Sequence, residues 1–233
     1  MRNKYEKIIA GLQRYHYLTY KQMIEIGIAT HTSNLSPHAR DLMKDEYIYM
    51  WEESDRTVVC YLSKKGARRF GGVGRKKMEK RPSEFTHRLR IVDVEIMLSK
   101  HNLVSCSKDN DAGKPTAIPL LNRNFEPDLI GIIQTPRQEE LYLVEVELGI
   151  DKQKVLNKIE LHLSALRNGA VASKINWRVG YRILIVTQNQ GMIERTIKSV
   201  KEDALQYAEN FLFSSDLKSW VNMRGQPRKL YYT

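Results

Sequence analysis

Cysteine is scarce in this chain. Only Cys60 and Cys106 occur in 233 residues. Neither belongs to a CxxC pair or has a nearby pair of histidines, which argues against a structural zinc and a disulfide framework and fits reduced thiols in a cytosolic protein. No apolar run approaches the 18 residues that a membrane-spanning helix needs. The first residues, MRNKYEKIIAGLQRY, lack a signal-peptide core and cleavage site. There is no repeat of 20–50 residues. Glycine (13) and proline (7) are ordinary in number, and 42% hydrophobic residues are enough to bury a core. Disorder is therefore not expected. Acidic residues are also in deficit: 38 Lys and Arg face 27 Asp and Glu, a net charge of +11. Such an excess favours a polyanionic partner, nucleic acid first and an anionic membrane second. The basic residues do not line one amphipathic helix with a large apolar face, so a membrane surface is the weaker partner.

The excess is uneven. Residues 1–81 hold 17 of the basic and 9 of the acidic residues, and the remainder holds 21 and 18. The same first third has a recognisable order of elements. Tyr5, Ile8, Ile9 and Leu12 have helical spacing over 3–15. Thr19 is a good N-cap for a second helix over 20–26, ended by Gly27. A third helix over about 33–45 turns Leu35, Ala39, Leu42 and Met43 inward and tolerates Pro37 in its first turn. Residues 47–51 and 57–62 read as two strands about a polar turn, and Ser63 caps a last helix over 64–70. Three helices and a hairpin are the plan of a winged helix-turn-helix domain over 1–70. In that plan the later helix enters the major groove. It offers His31, Thr32, Ser33, Asn34, His38 and Arg40 to base edges, with Arg56 at the wing tip. Lys64, Lys65, Arg68, Arg69, Arg75, Lys76 and Lys77, with Lys80 and Arg81, would contact phosphates, which gives affinity without sequence information. Residues 71–82, with Gly71, Gly72 and Gly74, read as a flexible basic linker. No Gly-Lys-Ser/Thr follows these glycines, so they are no phosphate loop. A winged helix used for protein contact and a merely solvated charge run are the bland alternatives.

The second domain, 83–233, is expected to be an α/β sandwich around a mixed sheet. A helix runs from a cap at Ser83 through His101. Short strands at 103–107 and 118–121 lead to a hairpin, FEPDLIGIIQTPRQEELYLVEVEL, over 125–148. A helix over 151–167, a buried strand over 181–187, a helix over 192–210 and a short strand over 211–213 complete it. Side chains two apart on a strand share a face, so Glu145 and Glu147 point the same way. With Asp128 across the ladder, three carboxylates would meet. Like charges so close repel unless a cation or hydrogen bonds hold them, and oxygen-only clusters suit Mg²⁺ or Mn²⁺. A solvated sheet edge with protective charges is the plain alternative.

Pro127-Asp128, a hairpin and then Glu145-Val146-Glu147 resemble the core of the PD-(D/E)xK nuclease superfamily. There an Asp on one strand and an acid-x-Lys on the next bind a divalent metal for phosphodiester cleavage. Glu147 departs from that pattern, which wants Lys. The chain is more similar to the replication-relaxation family of plasmids and mobile elements, which joins a winged helix to a nuclease-like domain with a PD…E-x-(D/E) signature. His87, Leu89, Val92 and Asp93 resemble its H-x-L…D helix. The resemblance implies a cytoplasmic protein that binds double-stranded DNA and works with replication or relaxase proteins. It implies a metal held by Asp128 and Glu145, with a further carboxylate from the first helix (Glu95 or Asp93) or from Glu147. It also lets Lys158, on the following helix, stand in for the missing strand lysine, with a plain exposed helix lysine as the alternative. One such site nicks, and a homodimer could cut both strands. A non-catalytic regulator with a dead site fits the same residues.

Overall fold

The computed structural model describes residues 4–79, 81, 85–100, 103–108, 118–119, 124–134, 139–170 and 181–229. The chain is mixed α/β and divides into two compact units, Met1–Ile96 and Met97–Thr233.

The first unit opens with helix α1 (Lys4–Tyr15), whose apolar spacing buries Ile8, Ile9, Leu12 and Tyr15. His16 turns the chain at φ +64° into a short strand, β1 (Tyr17–Thr19). Thr19 then caps α2 (Tyr20–Glu25) through a reciprocal pair: its hydroxyl accepts from the Gln22 amide at 3.1 Å, and Gln22 Oε1 accepts from the Thr19 amide at 2.9 Å. A 3₁₀ turn (Thr32–Asn34) precedes α3 (Ser36–Lys44), so the third helix starts later than its caps suggested. Met43, expected inward, is exposed. Strands β2 (Ile48–Glu52) and β3 (Val58–Leu62) form the hairpin, and β1 joins the far edge of β3, giving the antiparallel order β1-β3-β2. Ser63 caps α4 (Lys64–Phe70), accepting from the Gly66 amide at 2.9 Å.

Strand alternation gives this small sheet two apolar faces. Leu18, Ile48, Cys60 and Leu62 face the helices and pack with Ile8, Leu12, Met23, Leu35, Ala39 and Leu42. Tyr17, Val59 and Tyr61 form the other face, covered by Phe85, Met78 and Leu89. That second face explains why residues 71–79, with Arg81, are not the expected flexible linker. The Arg75 amide donates to the Leu62 carbonyl at 2.9 Å, and the Met78 amide donates to the Tyr61 hydroxyl at 2.9 Å. The Arg75 guanidinium lies 4.7 Å from the centre of the Tyr17 ring, and Arg81 pairs with Glu53 at 2.8 Å. The basic segment is fastened to the sheet it follows.

Helix α5 (Phe85–Ser99) belongs largely to the first unit, because Val92 and Ile96 sit in the same core as Ile8 and Leu12. The division of the chain therefore falls within α5 rather than near Pro82. The expected cap at Ser83 lies outside the described residues.

The second unit is built on a seven-stranded mixed sheet. Strands β4 (Leu103–Lys108), β7 (Leu129–Gln134) and β8 (Glu139–Glu147) are antiparallel neighbours. From β8 the sheet runs parallel through β9 (Tyr181–Thr187) to β10 (Phe211–Ser214), then antiparallel through β11 (Trp220–Asn222) to β12 (Pro227–Arg228). Two-residue strands β5 (Ile118–Pro119) and β6 (Asn124–Phe125) pair separately. Helix α6 (Lys152–Asn168) starts at an Asp151 cap and stops at Gly169, φ +66°, whose amide bonds back to Ala165 and Leu166. Leu141, Leu143, Ile183, Ile185, Phe211 and Phe213 share one core with Val155, Ile159 and Leu163 of α6. The single helix expected over 192–210 is two elements, α7 (Gln190–Ile197) and a 3₁₀ helix (Glu202–Asn210), because Lys201 is extended at ψ 150°. Among the described residues no helix is long and apolar enough to cross a membrane.

Candidate functional site

The β7–β8 ladder fixes the position of the acidic residues. Leu129 pairs with Val144, so in an antiparallel register the preceding Asp128 falls opposite Glu145. Asp128 Oδ2 accepts from the Val146 amide at 2.7 Å, which holds the carboxylate over the next strand. Glu145 sits on the face of β8 that carries Leu141 and Leu143, and so faces α6. Helix α6 presents Lys158 and His162, four apart and hence on one side of the helix. Lys158 Nζ lies 2.6 Å from Glu145 Oε2 and 3.3 Å from Asp128 Oδ2. His162 Nε2 lies 2.9 Å from Glu145 Oε1.

These four side chains form one hydrogen-bonded cluster at the edge of the core. Glu145 and His162 are buried, whereas the Lys158 side chain keeps 24% of its exposure and marks the open side. Burial alone would lower the Lys158 pKa, but the attraction of Glu145 and Asp128 and their hydrogen bonds outweigh it and raise it. Lys158 is therefore a firmly protonated ammonium held between two carboxylates.

The other expected carboxylates have hydrogen-bond partners of their own. Glu147 shares a strand face with Glu145, but its Oε1 accepts from the Gly149 amide at 3.1 Å, which braces the turn into α6. Glu95 belongs to the first unit, where it is buried against Arg14 at 3.1 Å. Asp93 is likewise used in that unit. Gln22 Nε2 donates to its Oδ1 at 2.8 Å and Arg90 lies 3.5 Å from its Oδ2. His87 is half-buried in the first turn of α5. Among the described residues no group of three His, Cys, Asp or Glu side chains is arranged to hold a metal. Asp128 and Glu145 remain as two hard oxygen donors beside an open edge. That set fits Mg²⁺ or Mn²⁺ in the mode that uses one or two carboxylates, water and substrate phosphate. It does not fit a closed cage.

In the first unit, His31, Thr32, Ser33, Asn34 and Arg40 are exposed at the start of and along α3. His38 is half-buried and meets the Tyr5 ring edge-on at 4.9 Å. Arg56 is exposed at the hairpin tip with φ +66°. Lys64, Arg68, Arg69, Lys76 and Lys77 are exposed, and among the described residues none has an acidic partner. Lys65 pairs with Glu46 at 3.5 Å, and Arg75 is committed to Tyr17.

His162 is the cluster member that sequence reading misses. Its signal was present: it lies one turn beyond Lys158, in a helix whose neighbouring positions Ile159 and Leu163 are core. A histidine on an apolar face usually reads as filler until its partner on another element is known. Comparison with protein-family models, curated proteins and solved structures finds no match to this chain.

Proposed function

We propose that this chain is a DNA-binding protein of a plasmid or other mobile element, joining a winged helix to a PD-(D/E)xK nuclease-like domain of the replication-relaxation kind, and that it processes DNA with a divalent metal. The observation that carries the reading is Lys158 Nζ within 2.6 and 3.3 Å of Glu145 and Asp128. Some nucleases of the resembled superfamily supply their lysine from a neighbouring helix, and α6 offers one at the required place. The mobile-element setting rests on the resemblance alone.

The first unit supports DNA recognition. Exposed His31 to Asn34 at the start of α3 suit base edges, since Asn can pair with adenine and Ser and Thr are permissive. The uncompensated charges on and after α4 suit phosphates. At the cluster, Mg²⁺ or Mn²⁺ on Asp128 and Glu145 would polarise the phosphate and lower the pKa of an attacking water. The backbone amide of Val146 keeps Asp128 aimed across the ladder. The Lys158 ammonium offsets negative charge that builds on the phosphate oxygens. Glu147 Oε1 braces the turn into α6.

The second reading is a regulator or relaxosome accessory with the same fold and no catalysis. It is favoured by Glu147 in the strand-lysine place and by Lys158 occupying oxygens of both carboxylates. One titration separates the two. On the first reading this chain retards duplex DNA without metal and nicks it with Mg²⁺ or Mn²⁺. Retardation with intact DNA under both metals selects the second reading, and absence of retardation defeats both.

A further inference from the structure

We infer that His162 is a positioning residue for Glu145, an inference that rests on the reading of the cluster given above. Helix α6 holds the two oxygens of one carboxylate separately. Lys158 takes Oε2 at 2.6 Å and His162 takes Oε1 at 2.9 Å. A carboxylate oxygen can only accept, so Nε2 of His162 must carry a proton in this contact. The ring is fully buried, with the Phe211 ring edge-on at 6.4 Å and the core residues Ile159 and Leu163 flanking it on the helix. It therefore has no direct role toward solvent or substrate. What it can do is stop the Glu145 carboxylate from turning. With Oε1 fixed, Oε2 is left on the side of Lys158 and Asp128, where a phosphate or metal would arrive. His162 is aimed at the acid that the reaction would use.

Partners of this kind, which touch a ligand residue but not the ligand, commonly change metal affinity or activity by about 10–100-fold when removed. The test uses the full chain labelled with ¹⁵N-histidine, together with His162→Phe, His162→Gln and Glu145→Ala. Phe keeps a ring beside Phe211 and removes the donor, whereas Gln restores an N–H on a side chain of similar reach. The expected spectrum shows a slowly exchanging Nε2–H of His162 that is displaced in Glu145→Ala. Mn²⁺ titration should find binding weakened about tenfold or more in His162→Phe and largely recovered in His162→Gln. An Nε2 without a proton, or equal Mn²⁺ affinity in wild type and His162→Phe, would overturn the inference. A wild type that binds no Mn²⁺ would defeat the metal-dependent reading of the protein. The Nε2–H resonance would then still decide whether His162 holds Glu145.

Discussion

Lys158 is the residue on which the site turns. Two carboxylates on adjacent strands repel unless a cation lies between them, and here that cation is covalently part of the protein. Removing one member of such a buried set is expensive, because the remaining charges are left uncompensated. Lys158→Met should therefore destabilise the protein by about 3 kcal/mol in urea unfolding. The pH dependence of that difference has a definite sign. The folded pKa of Lys158 is raised, so its contribution is complete below the ordinary lysine value of 10.5 and is lost as pH climbs through the folded value. The gap between wild type and Lys158→Met should be flat from neutral pH to about 10.5 and should narrow as the pH rises above it. Cys60 gives a second check at this scale. Burial raises its thiol to about 12, so it should resist alkylation at pH 8 in the native state and react only after unfolding. The sequence showed which acids and which lysine to watch, since Asp128, Glu145 and Lys158 are brought together. For Glu95 the sequence could not name a partner: a carboxylate on an amphipathic helix serves a metal and an arginine equally well, and in the first unit it pairs with Arg14, 81 positions away.

At the scale of elements, long and strongly patterned segments were the legible ones. Strand β9 and helix α4 fall where their apolar runs and caps put them, and the β7–β8 hairpin follows its two apolar runs. Three-residue strands such as β1 and β11 carry too little alternation to be seen, and their partners are supplied by tertiary pairing. The basic segment after α4 was misjudged because its glycines suggested freedom. They instead allow close packing, since a Cβ on Gly74 would lie 2.8 Å from the Ser63 carbonyl oxygen and 2.7 Å from Ala67 Cβ. Gly66 is the sharper case: a Cβ there would lie 2.0 Å from the Tyr47 carbonyl oxygen. Backbone cannot give way as a flexible side chain can. Gly66→Ala should destabilise the first unit by about 3 kcal/mol, measured by loss of its hydrogen-exchange protection at β2 and β3. Gln22→Ala should cost on the order of 1–2 kcal/mol, because it removes both the α2 capping box and the bond to Asp93.

At the scale of the molecule, the charge asymmetry along the chain has a structural counterpart in the first unit. Replacing Lys64, Arg68, Arg69, Lys76 and Lys77 together by Gln should weaken duplex binding at low salt. If all five contact phosphates, it should also reduce the slope of log K against log salt by about 4 to 5. Fluorescence anisotropy across a NaCl series measures both. An unchanged slope would remove this face from the DNA contact and leave α3 and the hairpin tip as its sites.

Cleavage of supercoiled plasmid by this chain in Mg²⁺ and in Mn²⁺, beside Asp128→Ala, Glu145→Ala and Lys158→Met, tests the site most directly. Nicked or linear product is expected from the wild type. Product should be lost from both carboxylate variants, and the rate should fall by on the order of 10²–10³ in Lys158→Met. Plasmid that stays supercoiled with every protein under both metals, while still shifting in a gel, would contradict the catalytic claim and leave a DNA-binding protein whose carboxylates and lysine serve only each other.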